Sequence, residues 1–180
     1  MEFLEKAEAD LKEEEAKILL RVYKGYKYLE LEDKEKLLDC VETTRKTIGD
    51  MINLDTSIYS EFYRLQALFF YKKEDLEDYY RNGIQFLSYT KEAEMTKEEQ
   101  QMWSRNLAIA VMVGKNIYNI GELLQKKILR SLVGSPHEWL LEVIETFNGG
   151  QIAKFQAKMK EHAGRVASEP LIQSNTDLIN

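Results

Sequence analysis

One cysteine, Cys40, and two prolines are spread over 180 residues. A single thiol permits no disulfide within the chain and fits a reducing compartment, the cytoplasm and the nucleus. Nine glycines and two prolines supply too few breaks for the tight turns of an all-β protein. No run of Lys or Arg occurs: 25 basic residues face 31 acidic ones, for a net charge of −6 and a pI near 5.2. A nucleic-acid backbone is held by a concentrated basic face, so nucleic acid is not an expected partner. The apolar run Leu107–Gly114 is far too short to cross a bilayer. The start of the chain, Met1-Glu2-Phe3-Leu4-Glu5-Lys6, has no apolar signal-peptide core, and no membrane association is expected. Gly149-Gly150 lacks the flanking residues of a glycine-rich phosphate-binding loop, and no small-molecule substrate is expected.

What the chain does have is amphipathic helix. Apolar residues make up 44% of the sequence, enough for a substantial core. The stretch Trp103–Leu124 organises the rest. Trp103, Leu107, Val111, Gly114 and Tyr118 recur at helical spacing, and Ala108 and Ala110 favour helix and close packing. The spacing predicts a central helix over 97–118, surrounded by protein.

Other helices are expected around it. An acidic segment, 1–15, aligns Phe3, Leu4, Ala7 and Leu11 on one face. Helix 14–30 carries Ile18, Val22, Tyr26 and Leu29. Helix 34–53 carries Leu37, Val41, Thr44 and Ile48. Asp55 is placed to cap helix 56–72, with Ile58, Phe62, Leu65 and Phe69. Helix 76–90 follows, with Leu76, Tyr80, Gly83, Ile84 and Leu87. Thr96 and Glu99 form a capping box before the central helix. A helix from Asn119 to about Leu132 comes next. Ser135-Pro136-His137-Glu138 satisfies three helix-start preferences and predicts a helix over 136–147. Asn148-Gly149-Gly150 stops it, helix 151–162 follows, and the chain turns polar from Ala163. Trp103, Trp139, Phe147 and Phe155 are the expected core anchors.

Two hairpins repeat. Glu32-Asp33-Lys34-Glu35 aligns with Glu74-Asp75-Leu76-Glu77 at an offset of 42, which puts Tyr28 on Phe70. This register resembles helix-turn-helix repeats. It implies an α-solenoid in preference to a compact bundle.

Candidate chemistry is sparse. Zinc sites draw on several closely spaced Cys and His ligands. Here His137 and His162 are the only histidines, so a solvated His137 and a helix-terminal His162 are expected. Cys40 lies between Asp39 and Val41, with Glu42 beyond, surroundings that disfavour a thiolate. Glu74, Asp75, Glu77 and Asp78 suit the first turn of a helix better than a metal cluster. No catalytic, cofactor-binding or metal-binding residue is assigned, and no cofactor is expected. Nine of ten tyrosines fall between Tyr23 and Tyr89. Packing is their main expected role, with an interface as the sharper alternative.

The combination Tyr118-Asn-Ile-Gly121-Glu-Leu-Leu124, Glu138-Trp139-Leu140, Phe147-Asn-Gly-Gly150 and Phe155-Gln156 resembles the 26S proteasome non-ATPase regulatory subunit 13 family. Similarity extends upstream through Phe86-Leu87, Tyr79-Tyr80-Arg81 and Phe62-Tyr63 to Phe3-Leu4-Glu5-Lys6. The resemblance implies a non-catalytic lid subunit of the 19S regulatory particle. It also implies a right-handed, all-α solenoid of TPR-like hairpins that runs into the helical half of a PCI domain. The implied division is 1–94 repeats, 95–162 PCI helices, and 163–180 a polar tail leading to a winged helix. The family's N-terminal region and winged helix have no counterpart here, so a fragment is implied. Implied partners are other lid PCI subunits and the intrinsic ubiquitin receptor. Two alternatives stand beside this reading. One is a PCI subunit of the COP9 signalosome or a translation-initiation complex. The other is an all-α metal-dependent enzyme.

Overall fold

A computed structural model describes residues 11–173, the side chains of Phe147 and Ile152 excepted. The helix expected over 1–15 falls mostly outside the described residues; Leu11 to Glu13 are irregular. The architecture is all-α, with no strand among the described residues. The first hairpin pairs α1 (Glu14–Glu30) with α2 (Lys34–Asp50), and the second pairs α3 (Thr56–Lys72) with α4 (Leu76–Tyr89). A 3-10 turn (Glu92–Glu94) leads into α5 (Lys97–Val113). Then come α6 (Ile120–Gln125), a 3-10 segment (Lys127–Leu132), α7 (Trp139–Asn148) and α8 (Ile152–Glu161). Two single-turn helices, α9 (Ala163–Val166) and α10 (Pro170–Gln173), complete the described part.

The repeat read at an offset of 42 is present in atomic detail. After α1, Glu32 adopts φ 57°, and after α3, Glu74 adopts φ 58°. The next residue then sends its N–H back across the helix end. Asp33 donates to the Tyr28 carbonyl at 3.0 Å, and Asp75 donates to that of Phe70 at 3.0 Å. The same aspartates cap the following helix: Asp33 Oδ1 accepts from Lys36 N at 3.2 Å, Asp75 Oδ1 from Asp78 N at 3.1 Å. One helix end thus satisfies its carbonyls while the next satisfies its N–H groups.

Helix α3 is a shared wall. Ile58, Phe62, Leu65 and Phe69 pack with Ile18, Val22, Leu37 and Val41 of the first hairpin. Ala67 joins the second cluster, built on α4, α5 and α7. Close approach is possible at two glycines. A Cβ on Gly25 would lie 2.4 Å from Leu65 Cδ2, and one on Gly83 would lie 2.7 Å from Leu107 Cδ2.

The second cluster centres on α5, whose residues Asn106 to Val113 are all buried. The Thr96–Glu99 capping box is present. Trp103 is buried, its ring 5.8 Å from Tyr79 and 4.7 Å from Phe86. Ser104 is buried as well, and its hydroxyl donates to the Ile128 carbonyl at 2.9 Å. Trp139 is buried as expected, whereas Phe155 is only partly covered. Phe147's side chain is outside the described residues.

Several boundaries differ from the periodicity, among them the end of α2, which falls at Asp50 and not at 53. The central helix ends at Val113, not 118. Gly114 turns the chain (ψ 126°) so closely that a Cβ there would meet Ile117 Cδ1 at 2.5 Å. Ile117 is buried in its place, and Tyr118 is 83% exposed instead of joining the stripe. The helix expected over 119–132 breaks at Lys126 into α6 and a 3-10 segment. The start expected at Pro136 is a turn. Glu138 Oε2 accepts from Gly134 N at 3.1 Å, one residue earlier than a capping box needs, and α7 starts at Trp139. In the polar stretch from Ala163, the short α9 and α10 form, and Ile172 is buried.

Candidate functional site

The residues that drew attention in the sequence lie in structural roles. Cys40 is buried, and its Sγ donates to the Arg21 carbonyl at 3.0 Å. Asp75 is the α4 cap. Asp78 pairs with Arg81 at 2.6 Å. Glu77 accepts from the Asn116 backbone and side chain at 3.0–3.2 Å, which holds its carboxyl below the usual range. These bonds pin the loop that follows α5. His137 is part-exposed, its Nδ1 3.7 Å from Glu169 Oε1.

His162 is nearly covered, with its ring 5.7 Å from Trp139 and its Nε2 3.6 Å from Glu142 Oε2. Glu142, Glu161 and His162 bring three ligand-type atoms within 4.8 Å of one another. Lys158 already supplies the positive charge there, at 2.6 Å from Glu142 and 3.0 Å from Glu161. Those contacts lower the Glu142 carboxyl and raise the Lys158 ammonium.

Sequence reasoning missed the Arg105–Glu169 pair. Glu169 is buried on the approach to α10 and is held by Arg105 of α5 through both carboxylate oxygens. A separation of 64 residues left no local signal for it.

It also missed a polar ladder across the first helices of successive hairpins. Tyr26 of α1 donates to Glu61 Oε2 of α3 at 2.8 Å. Burial, and then the Glu61 charge, push the Tyr26 hydroxyl well above its ordinary range. Arg64 Nη2 donates to Glu99 Oε1 of α5 at 3.0 Å, and Nη1 lies 3.9 Å from Glu61. The ladder opens into a groove of about 360 Å³ between the starts of α3 and α5 and the end of α4. Asp55, Glu61, Arg64, Lys91, Glu94 and Glu99 line it, and Phe86 and Met95 contribute apolar lining.

The groove walls are fixed. Ser60 and Thr90 share a 2.6 Å hydrogen bond. Gln100 Nε2 donates to the carbonyls of Glu92 at 2.9 Å and Met95 at 3.1 Å. Tyr89, on the rim, stacks against Tyr59 at 5.0 Å and Tyr63 at 5.7 Å. Several of the nine clustered tyrosines are therefore packing residues, as helical spacing suggested. The charged groups here brace helices and line the trough.

Residues 1–144 match a family model described as PSD13 N-terminal repeats. The chain belongs to the PSD13 family. Over 144 residues it is 35% identical to the 26S proteasome non-ATPase regulatory subunit 13 of Dictyostelium discoideum, covering 78% of this chain and 37% of that protein. It is 26% identical over 158 residues to homolog A of that subunit in Arabidopsis thaliana, covering 88% of this chain and 41% of the relative. The Saccharomyces cerevisiae 26S proteasome regulatory subunit RPN9 is 27% identical over 141 residues, 77% of this chain and 36% of that protein. The chain thus spans roughly two-fifths of the length of these PSD13 relatives. Among the described residues, no helix is long and apolar enough to cross a membrane.

Proposed function

We propose that this chain is a non-catalytic structural part of the proteasome regulatory-particle lid, supporting ubiquitin-dependent protein degradation in cytoplasm and nucleus. The observation that carries the reading is the match of residues 1–144 to the repeats of a family whose relatives are named regulatory, non-ATPase proteasome subunits. A stack of hairpins joined by a shared wall suits that work. It is stiff because each layer covers the apolar face of the next. Its partners are other PCI subunits of the lid and the intrinsic ubiquitin receptor. Within it, residues 1–94 act as TPR-like repeats of right-handed sense. Residues 95–162 act as the helical half of a PCI domain, and 163–180 as its tail.

The test is affinity capture of the tagged full-length gene product, followed by mass spectrometry. Lid subunits in stoichiometric yield are expected. Recovery of COP9 signalosome or translation-initiation subunits in their place would redirect the assignment.

A further inference from the structure

We infer that the groove between α3, α4 and α5 is a docking site for an extended, arginine-bearing segment of a partner protein. This goes beyond the scaffold reading and depends only on the groove, whichever complex the chain joins.

Shape is the first argument. A trough of about 360 Å³ is the size of a small ligand site, large enough for one long side chain and its flanking backbone. Charge is the second. Four carboxylates and two cations line the trough, so its net charge is negative. The cations are already engaged. Arg64 is bound to Glu99 at 3.0 Å. Lys91 lies 3.8 Å from Glu94 with both side chains mostly in water, a pair that is easily exchanged. Asp55 and Glu99 are held in the ionised form by hydrogen bonds from Ser57 and Thr96.

Geometry selects arginine over lysine. A guanidinium is a planar fork that can meet separate carboxylates and lie against an aromatic ring. Tyr89 lines the trough and is 37% exposed, but its ring is already stacked on Tyr59 and Tyr63, so the selection rests on the fork. The walls are tied by the Ser60–Thr90 and Gln100 hydrogen bonds, so little order remains to be imposed on binding.

The experiment uses the full chain and a short fluorescein-labelled peptide of alternating alanine and arginine, followed by anisotropy. Saturable binding is expected. The groove variant combines Glu94→Lys with Asp55→Asn, since asparagine keeps the helix cap. A control with the same change in net charge combines Glu42→Lys with Asp39→Asn on the exposed face of α2. Affinity should fall about tenfold or more in the groove variant, and the control should stay close to the unsubstituted chain. Matching thermal melts for the two variants establish that both are folded. Equal losses in both would show diffuse attraction to an acidic protein and overturn the proposal. So would the absence of saturable binding, or equal binding of a peptide with lysine in place of arginine.

Discussion

Glu32 and Glu74 lie 42 residues apart and hold the same left-handed backbone, at φ 57° and 58°. Each stands where a helix-ending glycine is customary. Glu74→Gly should therefore leave the melting temperature unchanged or raise it. Glu74→Val, with a branched Cβ in the left-handed region, should cost about 1–2 kcal/mol. Thermal denaturation of the two variants checks the sign of each. The same order is expected at Glu32, whose 3.6 Å contact with Lys72 is exposed and contributes little.

Gly83 and Gly49 make an opposed pair within helices. A methyl at Gly83 would enter the space of the fully buried Leu107. Gly83→Ala should destabilise by about 1–3 kcal/mol through overpacking. At Gly49 nothing lies within 4 Å of an added Cβ. Gly49→Ala should stabilise by up to about 1 kcal/mol, because alanine loses less freedom in a helix. Denaturant titration that gave both substitutions the same sign would refute the close approach of α4 and α5.

Trp103 is buried, yet its indole nitrogen has no hydrogen-bond partner. Its contribution is therefore its ring, stacked on Tyr79 and tilted on Phe86. Trp103→Ala should cost about 3–5 kcal/mol. Trp103→Phe should cost much less, since no hydrogen bond is forfeited. Trp139→Ala belongs with the larger loss, and unfolding midpoints rank the three.

The Arg105–Glu169 pair ties the end of the described chain to the central helix. Glu169→Gln leaves a guanidinium poorly matched in a covered place and should cost about 3 kcal/mol. Amide exchange should then quicken at Leu171 to Gln173 before it does so elsewhere. The double variant Arg105→Met, Glu169→Leu should recover most of the loss, since an apolar pair leaves no charge behind. Exchange rates unchanged in Glu169→Gln would mean that α10 is held by its other contacts, the buried Ile172 among them.

His137 gives the fold a slope in mildly acidic solution. Burial, and then the Arg105 guanidinium, hold its imidazole below the ordinary value of 6.5, against the pull of Glu169. The unfolded chain therefore takes up this proton first as pH falls. The stability at stake is complete above about pH 6.5 and is lost as pH drops through the folded value. His137→Gln should flatten that part of the profile. An unaltered dependence of stability on pH between about 5 and 7 would count against it.

Local pattern carried most of the fold. Ile58, Phe62, Leu65 and Phe69 show the stripe of α3 without any knowledge of what covers it. Asp33 and Asp75 show their caps because a cap is satisfied within three residues. Family membership was legible too, in the combined pattern from Tyr118 to Gln156. The reading failed where a distant partner decides the outcome. Glu77 captures Asn116 across 39 residues, so the central helix stops before the apolar period does and Tyr118 faces water. Glu169 finds Arg105 across 64 residues, and a stretch that looked like polar tail folds back. The groove was illegible for the same reason. Its rim draws on the starts of two helices, the end of a third and a 3-10 turn, each unremarkable in sequence.

Helix α3 lends one side to the first hairpin's core and the other to the core around α5. Neither half can melt while the other stays intact without stripping that helix bare. Heating should therefore give one sharp cooperative transition, seen at the same temperature by tryptophan fluorescence, which reports α5 and α7, and by far-ultraviolet dichroism, which reports every helix.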